Sequence, residues 1–80
     1  MPSNLDAEAL RQEIRADADE REVAMASLFV VPIADLGYDS MDVLELLYRI
    51  ADRFDLTIDV DRFKAVVTFD DLVHEIVQSS

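Results

Sequence analysis

Asp35-Leu36-Gly37-Tyr38-Asp39-Ser40-Met41-Asp42 runs directly into the clearest helical pattern of the chain. From residue 43 onward, apolar side chains recur three or four positions apart, as in a helix with one buried face. They are Val43, Leu44, Leu47, Ile50, Ala51 and Phe54. Asp39 or Ser40 can cap the first turn, and Asp42 places negative charge where the helix dipole favours it. The pattern predicts a helix from Asp39 or Ser40 to about Phe54, preceded by a turn at Gly37.

Downstream of this helix, the chain carries a connector and two further helical segments. Leu56-Thr57-Ile58 resembles a strand locally, but three residues without a pairing partner favour an extended connector. A short turn of helix is expected over residues 60–66, and its inward-facing side chains are Phe63 and Val66. Thr68, with an acid three residues later at Asp71, predicts the start of a last helix. Its buried side is expected to consist of Leu72, Val73 and Ile76.

Upstream, the sequence predicts a first helix and then a long loop. Ser3 and Asp6 have the spacing of a capping box, and the helix that they open is expected to end within residues 16–21. Its predicted buried face consists of Ala7, Leu10 and Ile14. Residues 23–37 follow neither the helical nor the strand period and contain Pro32 and Gly37, which predicts a loop. The side chains expected to pin that loop are Phe29, Val31, Ile33 and Leu36.

Together these segments predict an all-α fold. The expected architecture is a small four-helix bundle, with three main helices, one short helix and a long loop between helices 1 and 2. Because no linker, repeat or low-complexity tract divides the 80 residues, we expect a single domain over residues 1–80. The residues expected to line its core are Leu44, Leu47, Ile50, Phe54, Ile58, Phe63, Val66, Leu72 and Ile76.

The composition excludes several classes of protein. Eighteen acidic residues against seven basic ones give a net charge of −11, and there is no cysteine. A surface of that sign repels phosphate backbones and anionic lipids, so neither a nucleic acid nor a membrane is expected as a partner. A basic protein surface is the natural complement. Without cysteine, disulfides, thiolate zinc sites and a cysteine nucleophile are excluded. The hydrophobic fraction of 51% indicates a folded domain, not a disordered acidic tail.

The first residues of the chain show no pattern of a targeting signal. Residues 1–8 lack a basic segment followed by an apolar one, and the longest apolar run, residues 28–33, is far shorter than the ~20 residues of a membrane span. We therefore expect a cytoplasmic protein, and a monomer.

No constellation of residues points to catalysis or to a metal site. His74 is the only histidine and has no nucleophile at a plausible spacing, so a structural role is expected for it. Carboxylate pairs such as Asp17 and Asp19 are interpreted as part of a solvated acidic face. Residues 17–28 begin like an EF-hand loop but lack its glycine and its final glutamate. A single glycine cannot form a phosphate-binding loop. The chain is not expected to be an enzyme.

Ser40 leaves two interpretations open. It can serve only as part of the helix cap, or it can offer its hydroxyl, at an exposed turn beside the apolar Met41, to an enzyme that modifies it. With no histidine nearby, Ser40 cannot act as a nucleophile of its own active site.

The stretch from Asp35 to Leu46 resembles the attachment-site motif of acyl carrier proteins. The usual motif reads Asp-Leu-Gly-x-Asp-Ser-Leu, followed by a helix with Glu-Leu in its second turn, and the resemblance extends over about residues 23–78. It implies that Ser40 receives 4′-phosphopantetheine from coenzyme A, with Gly37 and Asp39 as motif residues. Gly37-Tyr38-Asp39-Ser40 is most similar to carriers of type II polyketide synthases. Met41 replaces the common leucine, which keeps a flexible apolar contact.

The resemblance also implies which partners visit the carrier. They are a phosphopantetheinyl transferase, a ketosynthase, an acyltransferase and other synthase enzymes, which would use basic patches to dock on the predicted second helix. The residues implied in this docking are Met41, Asp42, Glu45, Tyr48 and Asp52. For Tyr48, a half-buried boundary position is the equally plain alternative. Arg49 and Arg53, where relatives often carry alanine or acids, are expected to dilute the negative charge of that face.

Two further functions remain as alternatives. A stand-alone peptidyl or aminoacyl carrier would use the same serine and the same arm, although such carriers usually have a second glycine where Tyr38 stands. An unmodified acidic adaptor would bind a basic protein and use Ser40 only in the cap. The leading hypothesis is an acyl carrier that shuttles thioesters within a type II polyketide or fatty acid pathway.

Overall fold

The computed structural model describes residues 6–23 and 26–79. Within these ranges the chain forms three α-helices, α1 (Ala7–Glu20), α2 (Ser40–Phe54) and α3 (Phe69–Ser79), and no β-strand. Two short 3₁₀ helices, Ile33–Leu36 and Val60–Phe63, lie in the connections. The predicted all-α fold with three main helices and a short one is confirmed, and no helix among the described residues is long and apolar enough to cross a membrane.

Helix α1 starts later than the sequence pattern predicted. Asp6 is its N-cap, and the Asp6 carboxylate accepts a hydrogen bond from the Ala9 N–H at 2.7 Å. The predicted start at Ser3 was therefore wrong, and Ser3 itself lies outside the described residues. The helix continues to Glu20, and Leu10 and Ile14 are fully buried on its inner face, as predicted.

Helix α2 has the predicted bounds, and α3 begins at the predicted cap. Asp39 is the N-cap of α2 and forms a capping box with Asp42. Thr68 and Asp71 form the same pair of bonds before α3: Thr68 Oγ1 accepts the Asp71 N–H at 3.1 Å, and Asp71 Oδ2 accepts the Thr68 N–H at 3.2 Å. Two acid-containing capping boxes thus fix where both helices begin.

The connection from α1 to α2 is more ordered than a long loop. Residues 33–36 form the first 3₁₀ helix, and Leu28 and Ile33 are buried. Two backbone bonds tie the segment to the start of α3, from Ile33 N–H to Val67 O at 2.7 Å and from Asp70 N–H to Phe29 O at 3.3 Å. The segment therefore forms one wall of the core. Of its predicted pins, Ile33 is buried, Phe29 and Leu36 pack against the core and Val31 is only half-buried.

The core lies where α1 packs against both α2 and α3. Most predicted core residues are buried or pack against the core, whereas Leu44 is half-buried beside the groove described below. Two aromatic residues that the pattern did not single out, Tyr38 and Phe69, are buried in it with ring centroids 5.0 Å apart, edge to face. Their contact joins the turn before α2 to the first residue of α3. Residues 56–59 form the extended connector that was predicted.

Candidate functional site: the start of helix α2

Ser40 is the first residue of α2, and its side chain is exposed. The cap of the helix belongs to its neighbours: Asp39 Oδ1 accepts the Asp42 N–H at 2.9 Å, and Asp42 Oδ2 accepts the Asp39 N–H at 3.2 Å. Since these two bonds fix the helix end, the Ser40 hydroxyl takes no part in the cap. Of the two residues predicted as possible caps, Asp39 is the N-cap and Ser40 is not, and Ser40 is exposed at the helix end.

Gly37 sets the backbone direction into this helix end. It lies after the first 3₁₀ helix with a φ of +90°, and its N–H bonds Ala34 O at 3.4 Å. A Cβ there would meet nothing within 4 Å, so the constraint is conformational and not one of space. A side chain would be strained at this φ, which explains why the chain places its single glycine two residues before the cap.

A groove of about 600 Å³ opens beside Ser40. Ser40 and Met41 contribute to its lining, and its other walls come from α2, from the first 3₁₀ helix and from the segment of residues 60–67. The apolar side chains that line it include Ile33, Val43, Leu44, Leu47, Phe63 and Val66. Lys64 is the only cationic side chain in that lining. The groove can accept an apolar chain that starts near the Ser40 hydroxyl.

A buried carboxylate lies behind the helix end. Asp17 of α1 is only 4% exposed and accepts three hydrogen bonds, from Tyr38 Oη at 2.6 Å, Arg21 Nε at 2.8 Å and Arg49 Nη1 at 3.2 Å. The interpretation of Asp17 as part of a solvated acidic face was therefore wrong. Its position one helical turn before Arg21 was the available signal, since residues four apart on a helix can pair.

Arg21 extends this network to α2. Its Nη1 lies 2.9 Å from Asp42 Oδ1, its Nη2 lies 3.5 Å from Glu45 Oε1, and its guanidinium carbon lies 4.9 Å from the centre of the Tyr38 ring. The hydrogen bond from the Asp39 N–H, followed by that from Arg21, holds the pKa of Asp42 below its usual range. Burial, followed by the hydrogen bond to Asp17, raises the pKa of Tyr38 above its usual value.

The residues implied in docking comprise exposed side chains that have no ion pair among the described residues, and acids that are paired with Arg21. Met41 is 62% exposed, Tyr48 is 57% exposed and Asp52 is exposed, so the half-buried alternative for Tyr48 is wrong. Asp42 and Glu45 lie on the same helix but are each paired with Arg21.

The two arginines expected to dilute this face are also paired with acids of α1. Arg49 pairs with Asp17 and with Glu20, the latter at 3.6 Å, and Arg53 pairs with Glu13 at 3.0 Å. Their charges therefore serve mainly to join α2 to α1. Among the described residues, no group of three or more His, Cys, Asp or Glu side chains could hold a metal ion.

Comparison with known proteins agrees with this geometry. A family model described as "Phosphopantetheine attachment site" matches residues 30–76, more than half of the chain. The acyl carrier protein of Sulfurovum sp. (strain NBC37-1) is 34% identical over 64 residues, which cover 69% of this chain and 85% of that protein. No solved structure matches the chain. With its exposed serine, its capped helix and this match, the chain belongs to the acyl carrier proteins, which carry 4′-phosphopantetheine as a covalent cofactor.

Proposed function

We propose that Ser40 carries the 4′-phosphopantetheine arm, and that the protein shuttles acyl thioesters between enzymes of a type II polyketide or fatty acid pathway. The observation that carries the proposal is the exposed Ser40 hydroxyl, at the first position of α2 and outside the capping bonds. It lies within the residues matched by the attachment-site family and beside the apolar groove. When attached, the arm supplies the thiol that holds the acyl group.

The surroundings of Ser40 fit a phosphodiester. A helix N-terminus favours negative charge through its dipole and its unpaired N–H groups. The two nearest carboxylates would oppose a phosphate, but Asp39 and Asp42 accept backbone N–H bonds, and Asp42 is also paired with Arg21. In the transfer from coenzyme A, the bond from Ser40 Oγ to the pantetheine-bearing phosphorus would form as the P–O bond between that phosphorus and the bridging oxygen of the pyrophosphate breaks. The Ser40 proton would pass to a base of the transferase, and adenosine 3′,5′-bisphosphate would leave.

The groove supports an acyl group as the cargo. Its apolar wall would remove methylene groups from water, which contributes about 0.8 kcal/mol for each group that is fully buried. Leu44 and Val43 are half-buried there, and the same groove is lined by Phe63, the last residue of the second 3₁₀ helix, and by Val66 after it. The side of α2 that lines the groove would therefore shelter the chain, and the outer side would remain accessible to enzymes.

The exposed side of α2 fits the expected partners. Met41 and Tyr48 offer apolar area, and Asp52 offers a carboxylate, to a phosphopantetheinyl transferase, a ketosynthase or an acyltransferase. An exposed ion pair contributes about 0.2–1 kcal/mol, so such contacts would be weak and rapidly exchanged. The motif Gly37-Tyr38-Asp39-Ser40 favours a type II polyketide pathway. We further propose that the protein is a cytoplasmic monomer.

Intact-mass spectrometry tests the attachment site. After incubation with coenzyme A, Mg²⁺ and a broad-specificity phosphopantetheinyl transferase, the protein should gain the mass of one arm. The variant Ser40→Ala should gain nothing. The control Ser27→Ala removes another exposed serine and should be modified like the wild type. A folded wild type that gains no mass, or a Ser40→Ala variant that does, would contradict the proposal.

Loading of the modified protein separates acyl from aminoacyl cargo. We expect malonyl and other acyl groups to be transferred to the arm by an acyltransferase, and amino acids not to be accepted from adenylating enzymes. Preferential aminoacylation would instead indicate the peptidyl or aminoacyl carrier that the motif left as an alternative.

A further inference from the structure

Arg21 lies between the body of the protein and the first turns of α2. It is the C-cap residue of α1, and three nitrogens of its guanidinium each face a different carboxylate. The distances are 2.8 Å from Nε to Asp17, 2.9 Å from Nη1 to Asp42 and 3.5 Å from Nη2 to Glu45. Two of these acids belong to the docking helix, so the protein itself supplies a cation where a basic partner would bind.

The position of Arg21 is fixed from several sides. Its backbone N–H bonds the carbonyl oxygens of Asp17 and Ala18, both at 3.2 Å, which holds it at the end of α1. Its guanidinium stacks on the Tyr38 ring, and its side chain is only 29% exposed. A planar guanidinium held in this way has little conformational freedom left to lose. An incoming lysine or arginine would therefore meet a carboxylate already paired at Asp42, whose side chain is 28% exposed. At Glu45, which is 68% exposed, it would meet a carboxylate with the Arg21 charge 3.5 Å away.

The remaining acid of the docking side lies further along α2. Asp52 is exposed and has no ion pair among residues 6–23 and 26–79. It follows Ser40 by twelve positions, which corresponds to about 18 Å along a helix. Between the two lie the exposed side chains of Met41 and Tyr48. On this side of α2, Arg21 thus compensates the acids of the first two turns, whereas Asp52 near the far end is uncompensated within the described part of the chain. Asp39, the N-cap beside Ser40, is exposed, and its carboxylate accepts the Asp42 N–H.

We propose that Arg21 is a specificity-determining residue, an internal counter-ion that selects partners with an apolar surface at the Ser40 end of α2. This inference rests on the proposed function, because it assumes that enzymes dock on α2 to reach Ser40. Enzymes that place a cation opposite Asp42 or Glu45 are disfavoured, because Arg21 already bonds those carboxylates and repels a second cation. Enzymes that place a cation opposite Asp52, about 18 Å away, are favoured.

Steady-state modification of Ser40 by the broad-specificity transferase tests this selection. In Arg21→Gln, Asp42 and Glu45 become available to the cations of the transferase. The KM for the carrier should fall about two- to fivefold at low salt, the range of one exposed ion pair, while kcat stays the same. The difference should vanish at high salt, where exposed charges are screened.

Arg53→Gln is the matched control. It also removes one positive charge from the molecule, but Arg53 pairs with Glu13 of α1 and not with an acid of α2. We expect its KM to stay within about 1.5-fold of the wild type, below the effect of one exposed ion pair. Equal changes in KM in the two variants would mean that the effect of Arg21 comes only from the net charge of the protein, which would overturn the inference.

The wild type provides a second measurement, which does not depend on the folding of a variant. If Arg21 compensates Asp42 and Glu45, the wild-type KM should rise no more than about fivefold between low and high salt, the effect of screening one exposed ion pair at Asp52. A steep rise in KM with salt would overturn the inference while leaving the proposed function intact. A folded wild type that is not modified at all would overturn both.

Discussion

Helices α2 and α3 begin with the same capping arrangement, but their first helical residues lie in different surroundings. Each starts with a capping box whose third helical residue is an aspartate, Asp42 in α2 and Asp71 in α3. The first helical residue differs: Ser40 is exposed, whereas Phe69 is fully buried against Tyr38. The same local motif therefore places an exposed serine on the surface in one helix and a buried aromatic side chain in the core in the other.

The difference shows that the cap positions a residue but does not give it a function. What distinguishes the start of α2 is its neighbourhood, since the apolar groove lies on one side and the Arg21 network on the other. The start of α3 is held instead by burial of Phe69 and by the backbone bond from Asp70 to Phe29. The start of α2 is supported by a network of charged side chains, whereas the start of α3 is supported by a buried aromatic side chain and a backbone hydrogen bond. Variants can separate these two kinds of support.

The largest expected effect comes from exchanging the two first residues for alanine. Phe69→Ala should lower the free energy of unfolding by about 3–5 kcal/mol, because it leaves a cavity in the core. Ser40→Ala should change it by no more than about 0.5 kcal/mol, since the side chain is exposed and outside the cap. Urea unfolding measures both values. A Ser40→Ala variant as unstable as Phe69→Ala would mean that Ser40 is structural after all.

Asp17 gives the next largest effect. Asp17→Asn keeps the shape of the side chain but removes the negative charge to which Arg21 and Arg49 bond. We therefore expect the free energy of unfolding to fall by about 1–3 kcal/mol. The control Asp19→Asn changes an exposed residue two positions away, and its free energy of unfolding should stay within about 0.5 kcal/mol of the wild-type value. Hydrogen exchange can locate the loss, because the Val43 and Leu72 amides make equivalent 3.1 Å bonds to Asp39 and Thr68. The Val43 amide should lose protection and the Leu72 amide should not; equal losses would mean that Asp17 stabilises the whole fold evenly.

Much of the fold could be predicted because the signals are local. The apolar spacing of residues 43–54 and the two cap patterns depend on neighbours within one turn, and they gave the correct bounds for α2 and the correct start for α3. The motif around Ser40 predicted the family for the same reason. The start of α1 was wrong because Ser3 and Asp6 both suit a cap, and only the structure shows that Asp6 fills it.

The contacts behind Ser40 could not be predicted because they join residues far apart in sequence. Tyr38 reaches Asp17 across 21 positions, and Arg49 reaches it across 32. Only the four-residue spacing from Asp17 to Arg21 sets Asp17 apart from Asp19 in the sequence, and that spacing does not show that Asp17 is buried and Asp19 exposed. Likewise, nothing local marks Arg21 as the partner of Asp42. The charge count therefore predicted a negative docking face, whereas the structure pairs two of its acids, Asp42 and Glu45, with Arg21.

The smallest expected effect is the pH dependence of the stability that the two capping boxes contribute. It compares the start of α2 with the start of α3. The pKa of Asp42 is lowered by the Asp39 N–H and then by Arg21, and the pKa of Asp71 is lowered by the N–H groups of Thr68 and Val67. Because both folded values lie below that of an unfolded aspartate, each carboxylate stabilises the fold above about pH 4. That contribution is lost as the pH falls through the folded pKa.

The urea midpoint of Asp42→Asn and of Asp71→Asn should therefore each fall less steeply than that of the wild type as the pH is lowered from about 6 to about 2. Salt should then separate them. An ion pair with Arg21 is screened, whereas bonds from backbone N–H groups are affected far less. At neutral pH, the destabilisation by Asp42→Asn should shrink with added salt more than that by Asp71→Asn. If salt instead reduced the destabilisation by Asp71→Asn more, the salt-sensitive cap would be that of α3. The pairing with Arg21 would then not explain why the two helix ends differ.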